Sequence, residues 1–414
     1  MSRPARSRIF MGSLLVAALA VTGCTSSGGS AAPTAEPTDE GPTLEDMEPM
    51  VLTYSDSNVE TAAHVIAMQE FMDTVTEATD GKITFDTYYA AALHPVTESL
   101  SAIKSGLTDI TFVSPSNVPD LLPTALWETV LSQDAIESEF PMSLIEGTPV
   151  QFAAYQDDLL ADELAQYDAA TLATWGTAPN SAICVPEVTS ADQAAGKTIR
   201  TPGPPFLDEV EELGMTSVTL PITDVFEGLQ RGVIDCFMNV ISPFITLGIW
   251  DEAKYFIPAD FATSTGSQLL IKKSVLESLP IDVQRIIFDA RIDLLADILE
   301  ATLARNVEWA NEAPGMGVSF ANPTSFNKAI EAARKEYTKA AIQDAPAGVD
   351  DAQGYADDLA SLADSWNEVA ADLEIESGSP TTEEGWIDLY RSVEDIDWDA
   401  YVKALHEYLE PYRP

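Results

Sequence analysis

The sequence predicts an α/β protein of two lobes that close on a cleft. Three observations predict it. Residues 50–116 alternate strand-like and helix-like segments in the order strand, helix, strand, helix, strand, the pattern of a mostly parallel sheet. The alternation restarts near residue 170 and runs to about residue 240. Beyond about residue 269 the chain reads as helical, broken at Pro280 and at two Gly/Pro/Ser-rich stretches, "APAGVDD" and "ESGSPTTEEG".

The elements follow in order. Arg3, Arg6 and Arg8 precede the apolar run "IFMGSLLVAALAV", which is too short to span a bilayer stably. "VTGC" comes next and resembles a bacterial lipobox, in which the signal (1–23) is cut and Cys24 is lipidated; the other reading is an ordinary signal peptide with an incidental Cys. Residues 24–49 are rich in Ser, Gly, Pro and Thr and read as a tether. "MVLTYSD" has strand character, and "ETAAHVIAMQEFMDTVTEATDG" carries apolar residues at helical spacing and closes on Gly81. "KITFDTYY" alternates as a strand, "TESLSAIKSGLTD" is a short amphipathic helix, and "ITFVSPS" is a third strand. In the second half, "ATLATWG", "SAICVPEV", "KTIRTPG", "TSVTLP" and "IDCFMNV" read as strands. "PPFLDEVEELGM", with Pro in its first turn, and "ITDVFEGLQRGV" read as helices. The expected organisation is a first lobe of 50–176 with 266–305 and a second of 177–265 with 306–414.

Composition narrows the function. There are 21 basic residues against 67 acids, a net charge of −46. Removing the signal would take three of those basic residues and no acid. Such a surface lacks the basic face that nucleic acid requires, and it repels anions, so an anion site must be built from specific local donors. His64, His94 and His406 share no metal-ligand spacing. No G-x-S-x-G elbow, Walker loop or G-x-G-x-x-G fingerprint occurs. These absences leave no enzyme to build, and no cofactor is implied. Cys184 and Cys236 form an even pair in an exported chain, which suggests a disulfide; two buried thiols are the alternative. No Lys or Arg lies between Lys104 and Lys197; then Lys197 and Arg200 arrive together before Pro and Gly. Arg200 is either a solvated charge or a group placed for an anion.

Two long stretches carry a family resemblance. "GKITFDTYYAAALHPVTESLSAIKSGLTDITFVSPS" resembles the first-lobe signature of solute-binding proteins of tripartite ATP-independent periplasmic (TRAP) transporters. "AAGKTIRTPGPPFLDEVEELGMTSVTLPITDVFEGLQRGVIDCFMN" is similar to their second-lobe signature, and "SLPIDVQRII" to the start of a later helix. Together they cover about residues 50–340. The resemblance implies a periplasmic-binding-protein-like clamshell with crossing strands, a long bracing helix and a helical C-terminal extension. It implies capture of a small organic acid by lobe closure and delivery to a TRAP membrane permease, by a monomer held at the outer face of the cell membrane through Cys24. The family's carboxylate-pairing arginine falls on Arg200 and its asparagine on Asn239, and the resemblance also implies a Cys184–Cys236 disulfide. Physical chemistry supports the first assignment, because a guanidinium fork matches both oxygens of a carboxylate.

The sequence also departs from the family. Where many members carry a second arginine, Asn180 or a neighbour stands, which favours a monocarboxylate. Ile222 replaces an aromatic. Trp175 is open between lining the cleft and packing at the hinge. Tyr54, Tyr88 and Ser114 lie at first-lobe strand ends and are further site candidates. A binding protein of another importer, a sensor, and a secreted hydrolase are the competing functions. The anchor is directly testable. Cys24→Ala should abolish lipid labelling and move the protein out of the detergent phase on phase partition; unchanged partition would refute the lipobox.

Overall fold

The computed structural model of the protein describes residues 42–414 apart from 137–138, 177–178, 204–205 and 264–265. The export signal, Cys24, most of the tether and the Pro204-Pro205 helix start lie outside the described residues. The expected alternation is present: β1 (Met50–Ser55), α1 (Ala63–Ala78), β2 (Ile83–Tyr88), α2 (Ser99–Ser105) and β3 (Ile110–Val113). Helix α1 stops at Ala78, and Gly81 N–H closes its end on the Thr76 carbonyl at 2.8 Å. Three helices follow, α3 (Pro123–Ala135), α4 (Met142–Ala154) and α5 (Asp158–Ala165), and then β4 (Ala169–Trp175). The second half begins with β5 (Pro179–Cys184), α6 (Ala191–Ala194), β6 (Thr198–Arg200), α7 (Phe206–Glu212) and β7 (Thr216–Val218). It continues through α8 (Val225–Gln230), β8 (Cys236–Asn239), α9 (Ile241–Thr246), α10 (Ile249–Glu252) and β9 (Tyr255–Thr263).

The helical run expected beyond residue 269 starts later than the sequence suggested. Ser267–Lys272 is a strand, β10, whose "LLIK" is buried on both faces and so shows no alternation. Then come α11 (Lys273–Ser278), α12 (Ile281–Glu312), β11 (Ser319–Phe320), α13 (Thr324–Gln343), α14 (Ala352–Val369), α15 (Glu383–Ser392) and α16 (Trp398–Leu409).

The strands form two sheets, with orders β2-β1-β3-β10-β4 and β11-β9-β5-β8-β6-β7. The chain passes from the first to the second between β4 and β5 and returns between β9 and β10. Register fixes which edges meet. In the first sheet β1, β2 and β3 are parallel, and β10 runs antiparallel to both β3 and β4. So β4 points the same way as β1 and β3, and its end at Trp175 shares their carboxyl edge. In the second sheet β6 and β8 are parallel, and β5 is antiparallel to β8 with Ser181 opposite Asn239. The start of β5 therefore lies beside the carboxyl ends of β6 and β8. Both carboxyl edges adjoin the crossing, where ligands of open α/β sheets bind.

Helix α12, 32 residues and about 48 Å long, braces both halves. It packs on α1 and β4. Further along, Trp309 stacks on Trp250 and meets Phe244 and Phe256 beneath the second sheet. The C-terminal helices were expected to accompany the second lobe; α14, α15 and α16 instead pack on α3, α4 and α12, because Trp366, Tyr401, Leu405 and Leu409 need an apolar face to bury. Tyr401 donates to the Ile145 carbonyl at 3.1 Å, and Arg413 grips Asp289 through two bonds. The tail reaches the second sheet through Glu383, which accepts from Phe320 N–H, and through Tyr390, hydrogen-bonded to Ser181. At the other end the tether stops short of residue 49: Leu44 N–H donates to Asp282 at 2.8 Å, and Lys82 donates to the Leu44 and Glu45 carbonyls.

Cys184 and Cys236 face each other across β5 and β8 and are bonded, closing a loop with a separation of 52 residues. Closing a loop of that length is worth about 4 kcal/mol on the chain-entropy model. The Cys184→Ser/Cys236→Ser variant should therefore lose on the order of 2–4 kcal/mol in urea unfolding; an unchanged midpoint would show that the bridge adds no stability.

Candidate functional site

Arg200 ends β6 at the carboxyl edge of the second sheet. It is 9% exposed. Its Nε–H donates to the Leu220 carbonyl at 3.0 Å, and its guanidinium lies 5.6 Å from the centroid of the Phe237 ring. The register explains the pairing, since Arg200 sits directly opposite Phe237 on β8. Among the described residues no carboxylate lies within ion-pair distance of it. Burial alone brings its pKa down to about 10, so it remains charged at neutral pH. Two residues beyond Phe237, and so on the same face, Asn239 is half-buried and accepts from Val240 N–H at 2.9 Å. Ile222 is also half-buried, two residues past the carbonyl that holds Arg200. Asn180 is fully buried within β5, opposite Phe261.

The first sheet contributes an aromatic and polar group at the facing edge. His64, in the first turn of α1, has its ring centroid 4.9 Å from that of Phe112 and 5.5 Å from that of Trp175. Trp175 is 4% exposed and belongs to the main apolar core. His64 Nε2 lies 3.0 Å from the buried carboxylate of Asp56. Tyr54 O–H donates to that carboxylate at 2.7 Å, and the backbone and side-chain amides of Asn58 donate to it at 2.7 and 3.0 Å. Burial would raise the Asp56 pKa, but His64 and these donors outweigh it and hold it below the usual carboxylate range. Tyr54 itself is fully buried, its hydroxyl committed to Asp56. Ala90 and Ala91, in the loop after β2, both adopt left-handed φ of 53° and 57°. Their N–H groups are pinned on the Asn58 and Asp56 carbonyls, so the surrounding loop over-determines a conformation that costs energy. Tyr88 ends β2 at 39% exposure, and Ser114 is buried just past β3.

One close contact joins the two edges. Gly203, three residues after Arg200, has φ +125°, and a Cβ there would come 2.9 Å from the Ser116 carbonyl in the loop after β3. A second glycine at the crossing, Gly266, is packed so that a Cβ would sit 2.8 Å from the Tyr155 hydroxyl, and its N–H donates to Gln151.

Other buried ionisable groups lie elsewhere. Arg291, also buried, sits between the Phe152 and Phe288 rings and reaches the Thr171 carbonyl. Thr171 is four residues, or about 13 Å of strand, back from Trp175, so Arg291 belongs to the core. Glu128 is fully buried in α3 and pushed up to about 8 by that burial. His94 has both ring nitrogens engaged, Nε2 with the Ser55 hydroxyl and Nδ1 with the Pro95 carbonyl. Among the described residues no His/Cys/Asp/Glu group could hold a metal, and no helix is long and apolar enough to cross a membrane. The sequence singles out Arg200 and Asn239 as candidates, whereas the Asp56–His64 pair emerges only in the fold.

A sequence model described as bacterial extracellular solute-binding protein, family 7 (DctP), matches residues 55–344. The chain belongs to that family. Its fold is shared with DctP7 of Bordetella pertussis, an extracytoplasmic solute receptor binding pyroglutamic acid (18% identity, 75% of this chain and 99% of that one, TM-score 0.64). It is shared likewise with a marine-metagenome TRAP solute-binding protein specific for pyroglutamate (19%, 76% and 100%, 0.65) and with DctPAm of Advenella mimigardefordensis in complex with galactonate (20%, 77% and 100%, 0.63). The TRAP resemblance read from the sequence therefore holds. The family 7 protein is a solute receptor rather than an enzyme, and residues 345–414 extend beyond the family match. Gly203→Ala tests the contact between the edges. Left-handed strain of about 1–3 kcal/mol and the clash with Ser116 should keep the loops apart and weaken ligand binding on the order of ten-fold in titration calorimetry. Unchanged affinity would show that this contact plays no part in closure.

Proposed function

We propose that this protein captures a small organic monocarboxylate between the carboxyl edges of its two sheets and delivers it to a TRAP membrane permease, working as a monomer anchored outside the membrane through Cys24. The observation that carries this reading is Arg200. In a chain with 67 acidic residues, a buried guanidinium with no carboxylate beside it is placed for an anion from outside. Closing the lobes removes water around the pair, so each charge-assisted hydrogen bond contributes roughly 1.5–3 kcal/mol. Asn239 supplies a neutral polar contact from the same face. Asn180 offers no second cation, which favours one carboxylate over two, and the pyroglutamate and galactonate bound by the structural relatives are acids of that kind. Four hydrogen-bond donors hold the Asp56 carboxylate in place and spread its charge, which weakens its repulsion of the ligand.

Calorimetry with pyroglutamate, galactonate and glucuronate tests this. Arg200→Ala should weaken the acid that binds by more than about a hundred-fold, the cost of leaving a buried anion unpaired. Arg200→Lys should recover only part of that loss, and Asn239→Ala should cost about 1–3 kcal/mol. The unliganded Arg200→Ala protein should melt no lower than wild type, since a buried unpaired charge is removed. Equal affinities for wild type and Arg200→Ala would place the anion elsewhere.

A further inference from the structure

Among the described residues at the facing edges, His64 is one whose hydrogen-bonding capacity is half used. Its Nε2 is 3.0 Å from Asp56 Oδ2, and the carboxylate accepts there, so in the neutral ring the proton is on Nε2. The other nitrogen, Nδ1, then carries a lone pair and has no hydrogen-bond partner among the described residues. The side chain keeps 13% of its exposure. Phe112 and Trp175 hold one side of the ring. Their centroids are 6.2 Å apart, too near each other to enclose the ring from both faces. Asp56 cannot turn away, because Tyr54 and Asn58 fix it as well. The imidazole is thus oriented before any ligand arrives. His94 provides the contrast, with both nitrogens engaged inside the protein.

We infer that His64 is a specificity-determining residue: its Nδ1 accepts a hydrogen bond from an N–H or O–H group on the ligand, at the end remote from the carboxylate held by Arg200. Asp56 is its positioning residue. The inference rests on the carboxylate reading above and adds the chemistry of the ligand's other end. A hydroxylated acid or a lactam acid satisfies the acceptor, whereas a purely hydrocarbon acid leaves it buried and unpaired on closure, which disfavours that ligand.

Two pairs of acids test it by calorimetry: pyroglutamate against cyclopentanecarboxylate, and galactonate against hexanoate. Within each pair the carboxylate is shared and the remote donors differ. Wild type should prefer the donor-bearing acid of at least one pair by about ten-fold or more, the scale of one neutral hydrogen bond. His64→Phe keeps the aromatic surface and should erase that preference, weakening the donor-bearing acid and tightening the hydrocarbon acid, which no longer leaves an acceptor unpaired. If loss of its partner leaves Asp56 destabilising the fold, Asp56→Asn/His64→Phe removes the pair together and should give the same result. In 15N spectra, His64 should show a fixed Nε2–H tautomer whose Nδ1 resonance shifts when the preferred acid is added; Asp56→Ala should replace it with exchanging tautomers. An intact preference in His64→Phe, with binding still abolished by Arg200→Ala, would overturn the role of His64 and leave the carboxylate reading standing. Binding of none of the four acids, or equal binding by wild type and Arg200→Ala, would overturn both.

Discussion

A guanidinium that touches one carbonyl and one aromatic ring is poorly solvated, and Arg200 is held in that state by the strands around it. The register of β6 against β8 sets it over Phe237, and the segment after β7 presents the Leu220 carbonyl to Nε. The same constraint governs what surrounds it. In so acidic a chain, a mobile carboxylate near this position would neutralise the charge from within. Asp56, an acid at the facing edge, is instead buried and held by Tyr54, Asn58 and His64. The overall field repels anions, but it is screened within about 8–10 Å at ordinary salt, while a desolvated guanidinium acts at contact distance. Specificity for an anion is therefore compatible with a strongly negative surface.

The frame keeps these groups in place. Each crossing of the chain runs beside a sheet edge that carries candidate site residues, so a small rotation there would carry Arg200 and Asn239 together relative to His64 and Trp175. The disulfide joins β5, the strand entering the crossing, to β8, the strand bearing Asn239. Left-handed Ala90 and Ala91 hold the loop after β2 against the loop carrying Asp56 and Asn58. The C-terminal tail, beyond the family match, is fixed to α4 and α12 and also touches β5 and β11. It adds contacts to both halves, and the one on β5 falls at Ser181, opposite Asn239.

Much of this was legible in the sequence, for physical reasons. Amphipathic and alternating periods revealed β1 to β3 and β5 to β8, and the spacing around Lys197 and Arg200 drew attention to Arg200 as a candidate. What escaped the reading was tertiary. β10 is buried on both faces, so "LLIK" merged with the helical run after it. Tyr54 stands at a strand end as expected, yet strand alternation points it into the core, where only its hydroxyl serves the site. Asp56 and His64 are eight residues apart, and nothing in their spacing announces a pair; the loop and the first turn of α1 bring them together. The tail's helices were visible, but the faces they cover belong to α3, α4 and α12, which no local pattern could assign.

The place of β10 between β3 and β4 also constrains how the chain can assemble. Until residues 267–272 arrive, β4 has no partner in the first sheet and β3 keeps an open edge, although both precede the whole second sheet in sequence. Joining β4 to β10 means closing the loop of residues 176–266, and that entropy falls sharply once β5 and β9 have paired, because their pairing sets Pro179 opposite Thr263 at the loop's mouth. The later half is thus positioned to fold first and to act as the clasp that completes the earlier one. A chain emerging from its amino end carries β1 to β4 as an unfinished sheet with exposed edges in the meantime, a species prone to self-association. The last helices cannot dock until the end, since Tyr401 meets Ile145 across 256 residues of sequence.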